Sequence, residues 1–222
     1  FGTCEGADVR AERVRPLAER GWSFEIVGDH GRVPVEVAGI GERVVSNALA
    51  AAAAALCAGA KADHLAEGLS SWRPVAGRME PRRLAGNVVL IDDSYNANPQ
   101  SMEMALRSLA RLSRGGRGLA VLGDMGELGA EAAAAHHSSG SLTAELGLDL
   151  LFALGQFAED TARGAREAGM DAARIQVLNS REETGRAVCE ALRPGDWILV
   201  KGSRAMGMEW VAEAIASCRG RA

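Results

Sequence analysis

Asp92 and Asp93 close an apolar run, Asn87-Val88-Val89-Leu90-Ile91, and lead into Ser94-Tyr95-Asn96-Ala97-Asn98-Pro99. Such a junction reads as a buried strand that delivers polar groups into a turn. The acidic pair can bind hydroxyls or a metal, while the two Asn and the Tyr offer donors and acceptors to a small polar ligand. Pro99 suits the first position of the next helix, where no backbone donor is needed. Lys201 is one of only 2 lysines beside 23 arginines, and it follows the apolar run Trp197-Ile198-Leu199-Val200. With Ser203 and Arg204 it sets an ammonium, a hydroxyl and a guanidinium close together, a combination suited to a carboxylate or phosphate. Asp124 leaves a third apolar run within Gly123-Asp124-Met125-Gly126-Glu127-Leu128-Gly129. There the glycines suit a turn, and Glu127 suits the positive end of a following helix.

These groups need a scaffold, and hydrophobic periodicity supplies one. Residues 22–27 and 33–38 alternate apolar with polar around Gly28-Asp29-His30-Gly31-Arg32, which predicts an antiparallel hairpin. Ser46-Asn47 then precede an Ala/Leu-rich helix over 48–58, with a second short helix over 61–71. Beyond Trp72-Arg73-Pro74-Val75-Ala76-Gly77 the pattern changes to strands at 87–92, 118–122, 149–154, 174–178 and 196–200. Helices near 99–112, 129–146, 157–168, 181–192 and 206–217 alternate with them, the rhythm of a parallel α/β sheet. The expected domains are therefore 1–76 and 77–222. In an open parallel sheet ligands bind beyond the carboxyl ends of the strands, and the first, second and last strands end in the three polar motifs above.

Composition excludes several classes. The chain has 222 residues, is 47% hydrophobic and has a net charge of -4. It has no apolar run of the ~18 residues that a membrane span needs. The arginines form no long basic stripe, so nucleic acid is not an expected partner. Cys4, Cys57, Cys189 and Cys218 show neither zinc-site spacing nor the density of a secreted disulfide scaffold, which points to the cytoplasm and to no redox role. His136 and His137 lack a partner at metal spacing and read as structural or surface residues. No G-x-S-x-G or phosphate loop occurs, and no G-x-G-x-x-G follows the first α/β strand. The opening Phe1-Gly2-Thr3-Cys4, with neither an initiator Met nor a leader, suggests a piece of a longer protein.

Gly77-Arg78-Met79, the 92–102 string Asp-Asp-Ser-Tyr-Asn-Ala-Asn-Pro-Gln-Ser-Met, the 122–129 string Leu-Gly-Asp-Met-Gly-Glu-Leu-Gly and Lys201-Gly202-Ser203-Arg204 together resemble the D-alanyl-D-alanine-adding Mur ligases. The resemblance runs over essentially the whole chain. It implies the last part of a central ATPase domain (1–76), followed by a carboxyl-terminal Rossmann-like α/β domain with a mostly parallel sheet. It also implies ATP and Mg2+ as cofactors, the metal ligands lying mostly elsewhere. The implied substrates are UDP-N-acetylmuramoyl-tripeptide and D-Ala-D-Ala, joined through an acyl phosphate in peptidoglycan precursor synthesis by a monomeric enzyme. These residues alone would be inactive.

By the same resemblance Asn47 faces adenine, Arg78 reaches the ATP phosphates and Asp93 accepts from the ribose hydroxyls. Tyr95, Asn96 and Asn98 line the cleft, with Lys201 and Ser203 near the incoming dipeptide. Asp92, Asp124 and Arg204 are further candidates, and for Asp92 the competing role is simply to shape the turn. The chain departs from the family at Arg43-Val44, where His then Asn or Gln is usual, and at Ser139, where an apolar residue precedes Gly140. An alternative reading is a phospho-receiver domain, which also carries an acidic pair after its first strand and a Lys after its last. Its acceptor Asp should follow the third strand, yet that strand ends in Ala153-Leu154-Gly155.

Overall fold

A computed structural model describes residues 1–41 and 43–220, and the chain divides into two compact units, Phe1–Pro74 and Val75–Ala222. In the first unit, strands β1 (Arg10–Pro16), β2 (Trp22–Gly28) and β3 (Gly31–Val37) form an antiparallel sheet in the order β1-β2-β3. The hairpin β2-β3 matches the alternating pattern, with Phe24 opposite Val35. Its inward residues Trp22, Phe24, Ile26, Val33, Val35 and Val37 pack with Val45, Leu49, Ala52 and Leu65. These last come from helices α1 (Arg43–Cys57) and α2 (Ala62–Ser71). On the outward face Glu12 and Glu25 are register partners, and Arg32 lies 2.7 Å from Glu12 and 2.9 Å from Glu25. That bridge offsets the repulsion of like charges placed directly across two strands.

Two features here differ from the sequence expectation. Strand β1 escaped notice because Arg10, Glu12, Arg13 and Arg15 hide its period; only Ala11 of the strand is fully buried. Helix α1 begins at Arg43, so Ser46 and Asn47 are helical residues instead of the residues before a helix. The packing of Val45 supplies the extra turn: it is buried in the core beside Leu49, an i, i+4 pair on one helix face.

The second unit is a mixed α/β layer structure. Its six strands are β4 (Glu80–Leu84), β5 (Val88–Asp93), β6 (Gly118–Gly123), β7 (Leu150–Leu154), β8 (Ile175–Leu178) and β9 (Trp197–Lys201), in the order β4-β5-β9-β6-β7-β8. All neighbours are parallel except β4, which pairs antiparallel with β5. β4 went unforeseen because Glu80-Pro81-Arg82-Arg83 reads as a polar linker. As an edge strand it tolerates Pro81 and charge.

Helices α3 (Pro99–Leu112), α4 (Ala132–Glu145) and α5 (Ala158–Glu167) form one layer, and α6 (Arg181–Ala191) and α7 (Glu209–Arg219) form the other. Alternation divides the strands between them: Val88, Leu90, Leu119, Val121, Ile198 and Val200 share a core with Val188, Met208, Val211 and Ile215. Their neighbours Val89, Ile91, Ala120, Leu122 and Leu199, also buried, point to the other face. Asn98 caps α3 by accepting from the Ser101 N–H at 2.8 Å, while the Ser101 hydroxyl accepts from the Asn98 N–H at 3.0 Å. Pro99 occupies the first helical position as expected.

Helices α4 and α5 approach until their backbones touch. A Cβ on Gly140 would stand 1.8 Å from the Thr161 carbonyl oxygen, and one on Gly164 would stand 2.0 Å from that of His137. Ser139, at the departure from the family pattern, is buried and donates to the Ala135 carbonyl at 3.0 Å, so its hydroxyl is satisfied within its own helix. A Gly140→Ala chain should gain about 1 kcal/mol in helix propensity yet lose more by forcing the helices apart. We expect a net destabilisation of about 2 kcal/mol, read as a lower urea midpoint. An unchanged midpoint would mean that the contact is slack.

Candidate functional site

The carboxyl ends of β5, β9 and β6 lie side by side, and parallel register places Asp93 opposite Lys201 and Leu122 opposite Lys201 on the other side. Register partners in adjacent strands share a face. The Lys201 ammonium accordingly donates to Asp93 Oδ2 at 2.5 Å and to the Asn96 carbonyl at 2.8 Å, with the residue only 1% exposed. Asp93 Oδ1 also accepts from the Met79 N–H at 3.0 Å. Lys201 thus has its charge met within the chain, and it fixes both the strand end and the turn that follows.

Burial pushes the Asp93 carboxyl above its ordinary range; the charge and hydrogen bond of Lys201 and the Met79 N–H oppose that rise, while Asp92 adds to it. A carboxyl that holds its proton more tightly folded than unfolded contributes stability below the ordinary value of about 4, and that contribution is lost as pH rises through the raised value. Lys201 limits the loss.

The acidic pair does not act together. One residue apart on a strand, Asp92 and Asp93 leave opposite faces of the sheet. Asp92 is 2% exposed and pairs with Arg82 of β4 at 3.2 Å; Arg82 also binds Glu213 of α7, and Asp92 Oδ1 accepts from the Ser94 N–H at 3.2 Å. The two carboxylates therefore have separate surroundings, and Asp92 shapes the turn and anchors an edge strand. Arg82 was missed with the strand that carries it.

Arg78 and Tyr95 come together through backbone contacts. Gly77 has φ +71° and Met79 φ +51°, left-handed geometry that turns this segment against the end of β5. The Gly77 carbonyl accepts from the Tyr95 N–H at 2.9 Å, and a Cβ on Gly77 would stand 3.2 Å from Ser94 Oγ. The Arg78 guanidinium carbon then lies 4.1 Å over the Tyr95 ring centre, and that of Arg204 lies 5.8 Å over it. Tyr95 is 44% exposed, so two cations and an aromatic ring face solvent beside the neutralised Asp93–Lys201 pair. Arg204 is further held by Glu209, the first residue of α7, at 3.3 Å. This group can present donors to an anion and a flat face to a planar ligand.

The other candidates occupy varied places. Asn96 and Asn98 are exposed, but Asn98 spends its side-chain oxygen on the α3 cap. Ser203 is 6% exposed, and its N–H donates to the Asp124 carbonyl at 2.7 Å. Asp124 accepts from the N–H groups of Gln156 and Phe157 at 2.7 and 3.1 Å, so it binds the turn after β7 to the end of β6. Gly155, at φ +123°, leaves space for that carboxylate, where a Cβ would fall 2.4 Å from the Asp124 carboxyl carbon. Asn47 is exposed on α1 of the first unit.

His136, 2% exposed, has a fixed tautomer: its Nδ1 lies 2.6 Å from the Ala132 carbonyl and donates to it, while Nε2 accepts from the Met125 N–H at 2.8 Å. With Nε2 accepting, the ring is neutral, so the 3.7 Å approach to Asp124 is no ion pair. His137 meets Glu167 at 2.8 Å on the surface. Among the described residues no group of three or more His, Cys, Asp or Glu is placed to hold a metal ion.

A six-stranded sheet with one antiparallel edge, carrying its polar groups at the parallel strand ends, defines the class. The chain belongs to the Mur ligase family: residues 77–204 match "Mur ligase, glutamate ligase domain". It is 36% identical over 94% of its length to UDP-N-acetylmuramoyl-tripeptide--D-alanyl-D-alanine ligase of Escherichia coli K12, covering 44% of that relative. A crystal structure of MurF from Acinetobacter baumannii superposes with a TM-score of 0.86 at 31% identity, over 96% of this chain and 46% of the other. The MurF ligase of Thermotoga maritima, solved in complex with ADP, gives a TM-score of 0.77 at 25% identity, over 96% and 47%. The chain thus spans a little under half the length of each. No helix among its described residues is long and apolar enough to cross a membrane.

Replacing Lys201 by Met leaves Asp93 buried without its counter-ion, which should cost about 3–5 kcal/mol at neutral pH. Because the lone carboxyl would resist ionisation more than the paired one, the deficit against the parent chain should widen from about pH 4 to pH 7. Denaturant unfolding across that range checks it; a deficit independent of pH would show that the two groups are not coupled.

Proposed function

We propose that this chain is the carboxyl-terminal part of an ATP-dependent cytoplasmic ligase that adds D-Ala-D-Ala to UDP-N-acetylmuramoyl-tripeptide during peptidoglycan precursor synthesis. The observation that carries the reading is the convergence of Arg78, Asp93, Tyr95 and Arg204 on one sheet edge. Similarity to D-Ala-D-Ala-adding ligases over 94% of the chain supports it, as does the ADP-bound relative. A receiver domain would need a phospho-acceptor Asp beyond β7, where Leu154 is followed by Gly155.

In this reading ATP phosphorylates the terminal carboxylate of the tripeptide, and the dipeptide amine attacks the acyl phosphate, displacing phosphate. Arg78 holds the phosphates and offsets their charge. Asp93 still has acceptor capacity towards the ribose diol, because each of its oxygens engages one donor and can take another. Lys201 acts by holding Asp93 and the Asn96 carbonyl in place, with Ser203 on the same edge near the incoming dipeptide. Tyr95, Asn96 and Asn98 border the cleft. Asn47, on the first unit as the remainder of the central ATP-binding domain, offers both a donor and an acceptor to adenine. Magnesium, when bound, would neutralise phosphate charge, with its ligands mostly supplied outside these residues. The remaining part of a monomeric enzyme brings the phosphate loop and the sugar-peptide site, and closure brings the reactants within reach.

The full-length protein should release phosphate from ATP only when the UDP-linked tripeptide and D-Ala-D-Ala are both present. Equal release with a single amino acid in place of the dipeptide would overturn the assignment. The 222 residues alone should show negligible ATP hydrolysis, and robust turnover by them would refute the division of labour described above.

A further inference from the structure

Cys189 and Cys218 are joined by a disulfide in the structure, although their spacing in the sequence carries no sign of pairing. The bond links the last turn of α6 to the last turn of α7, and the other two cysteines, Cys4 and Cys57, are free and exposed. Helix packing brings the sulfurs together. One turn earlier on each helix, a Cβ on Gly185 would stand 2.9 Å from the Ala214 Cβ, so the small residues let the axes approach closely. Gly185 and Cys189 are four apart, as are Ala214 and Cys218, and residues at i and i+4 share a helix face. The two contacts therefore run in step along parallel helices. Val188, Val211, Ala212 and Ile215 hold that arrangement by burial in a common core.

The pair sits at the surface end of this seam, with Cys218 exposed and Cys189 half-buried. A thiol reagent can reach it without unfolding the core. Both sulfurs lie near helix carboxyl ends, where the backbone dipole disfavours a departing thiolate, so exchange receives no electrostatic help. The seam lies at the opposite end of α7 from the Arg204–Glu209 pair.

We propose that Cys189 and Cys218 form a reversible thiol–disulfide tether that fastens the end of the last helix to α6 and raises the stability of this domain under oxidising conditions. Closing the bond removes two electrons and two protons from the dithiol, taken up by a low-molecular-weight disulfide that leaves as two thiols. Opening is the reverse: a thiolate attacks one sulfur, the second cysteine leaves, and a further thiol resolves the mixed disulfide. Because the helices already face each other, neither direction needs the backbone to rearrange. This inference goes beyond the ligase reading and does not depend on it.

The test uses the full-length protein, equilibrated with oxidised glutathione or with excess dithiothreitol under native conditions, then alkylated and mapped by mass spectrometry. The oxidised sample should yield a peptide pair linked through Cys189 and Cys218, and the reduced sample should yield both cysteines alkylated. The melting transition of this domain should fall by roughly 5–10 °C on reduction and recover on reoxidation without denaturant. Cys189→Ala and Cys218→Ala chains should match the reduced parent and ignore dithiothreitol. Absence of the linked peptide after oxidation, or an identical transition in both redox states, would overturn the proposal. The parent protein supplies both states itself, so the result stands even if a variant folds poorly. Ligase turnover, measured in parallel, reports separately on the functional reading.

Discussion

Lys201 lies beneath the turn after β5 with its charge met by Asp93 and a second hydrogen bond given to the Asn96 carbonyl. Much of the sheet edge depends on this buried tie. An ammonium taken out of water needs a partner, and a carboxylate alone in that position would resist ionising. Together they form a polar floor that is close to neutral and fixed in register by the parallel pairing of β5 with β9. The Met79 N–H adds a third strand of control, because its bond to Asp93 carries the Arg78 segment to the same edge.

Around that floor the chain spends many of its polar side chains on architecture. Asp124 clamps the turn after β7, Asn98 caps α3, His136 bridges the loop after β6 to its own helix, and Asp92 holds Arg82. Each satisfies backbone donors or charges that would otherwise be buried at a cost. What remains turned outward is a smaller set, chiefly Arg78, Tyr95 and Arg204. A group built in this way is rigid at its base and open at its surface.

The two helical layers solve the packing problem differently. Gly140 and Gly164 bring α4 and α5 into backbone contact, while Gly185 and Ala214 bring α6 and α7 close enough for Cys189 and Cys218 to meet. In both cases a residue of low helix propensity is kept where a side chain would hold the helices apart. Close approach then determines which polar or reactive groups can touch. The cysteine pair is the clearest case, since sequence spacing alone suggested no bond.

Periodicity in the sequence determined the parallel α/β rhythm of the second unit and the hairpin of the first, because apolar residues repeat with the period of the element that buries them. The motif residues themselves were also legible, since unusual polar groups ended apolar strands and matched a family pattern. Strands β1 and β4 were not legible, because both carry charged side chains whose partners, such as Arg32 and Glu213, lie well beyond the strand in sequence. The helical start at Arg43 likewise depended on the tertiary burial of Val45. Only the folded chain could divide Asp92 from Asp93 across the sheet, pair Lys201 with one of them and face Cys189 with Cys218. Sequence names the groups and their local period; register and helix packing decide which of them meet.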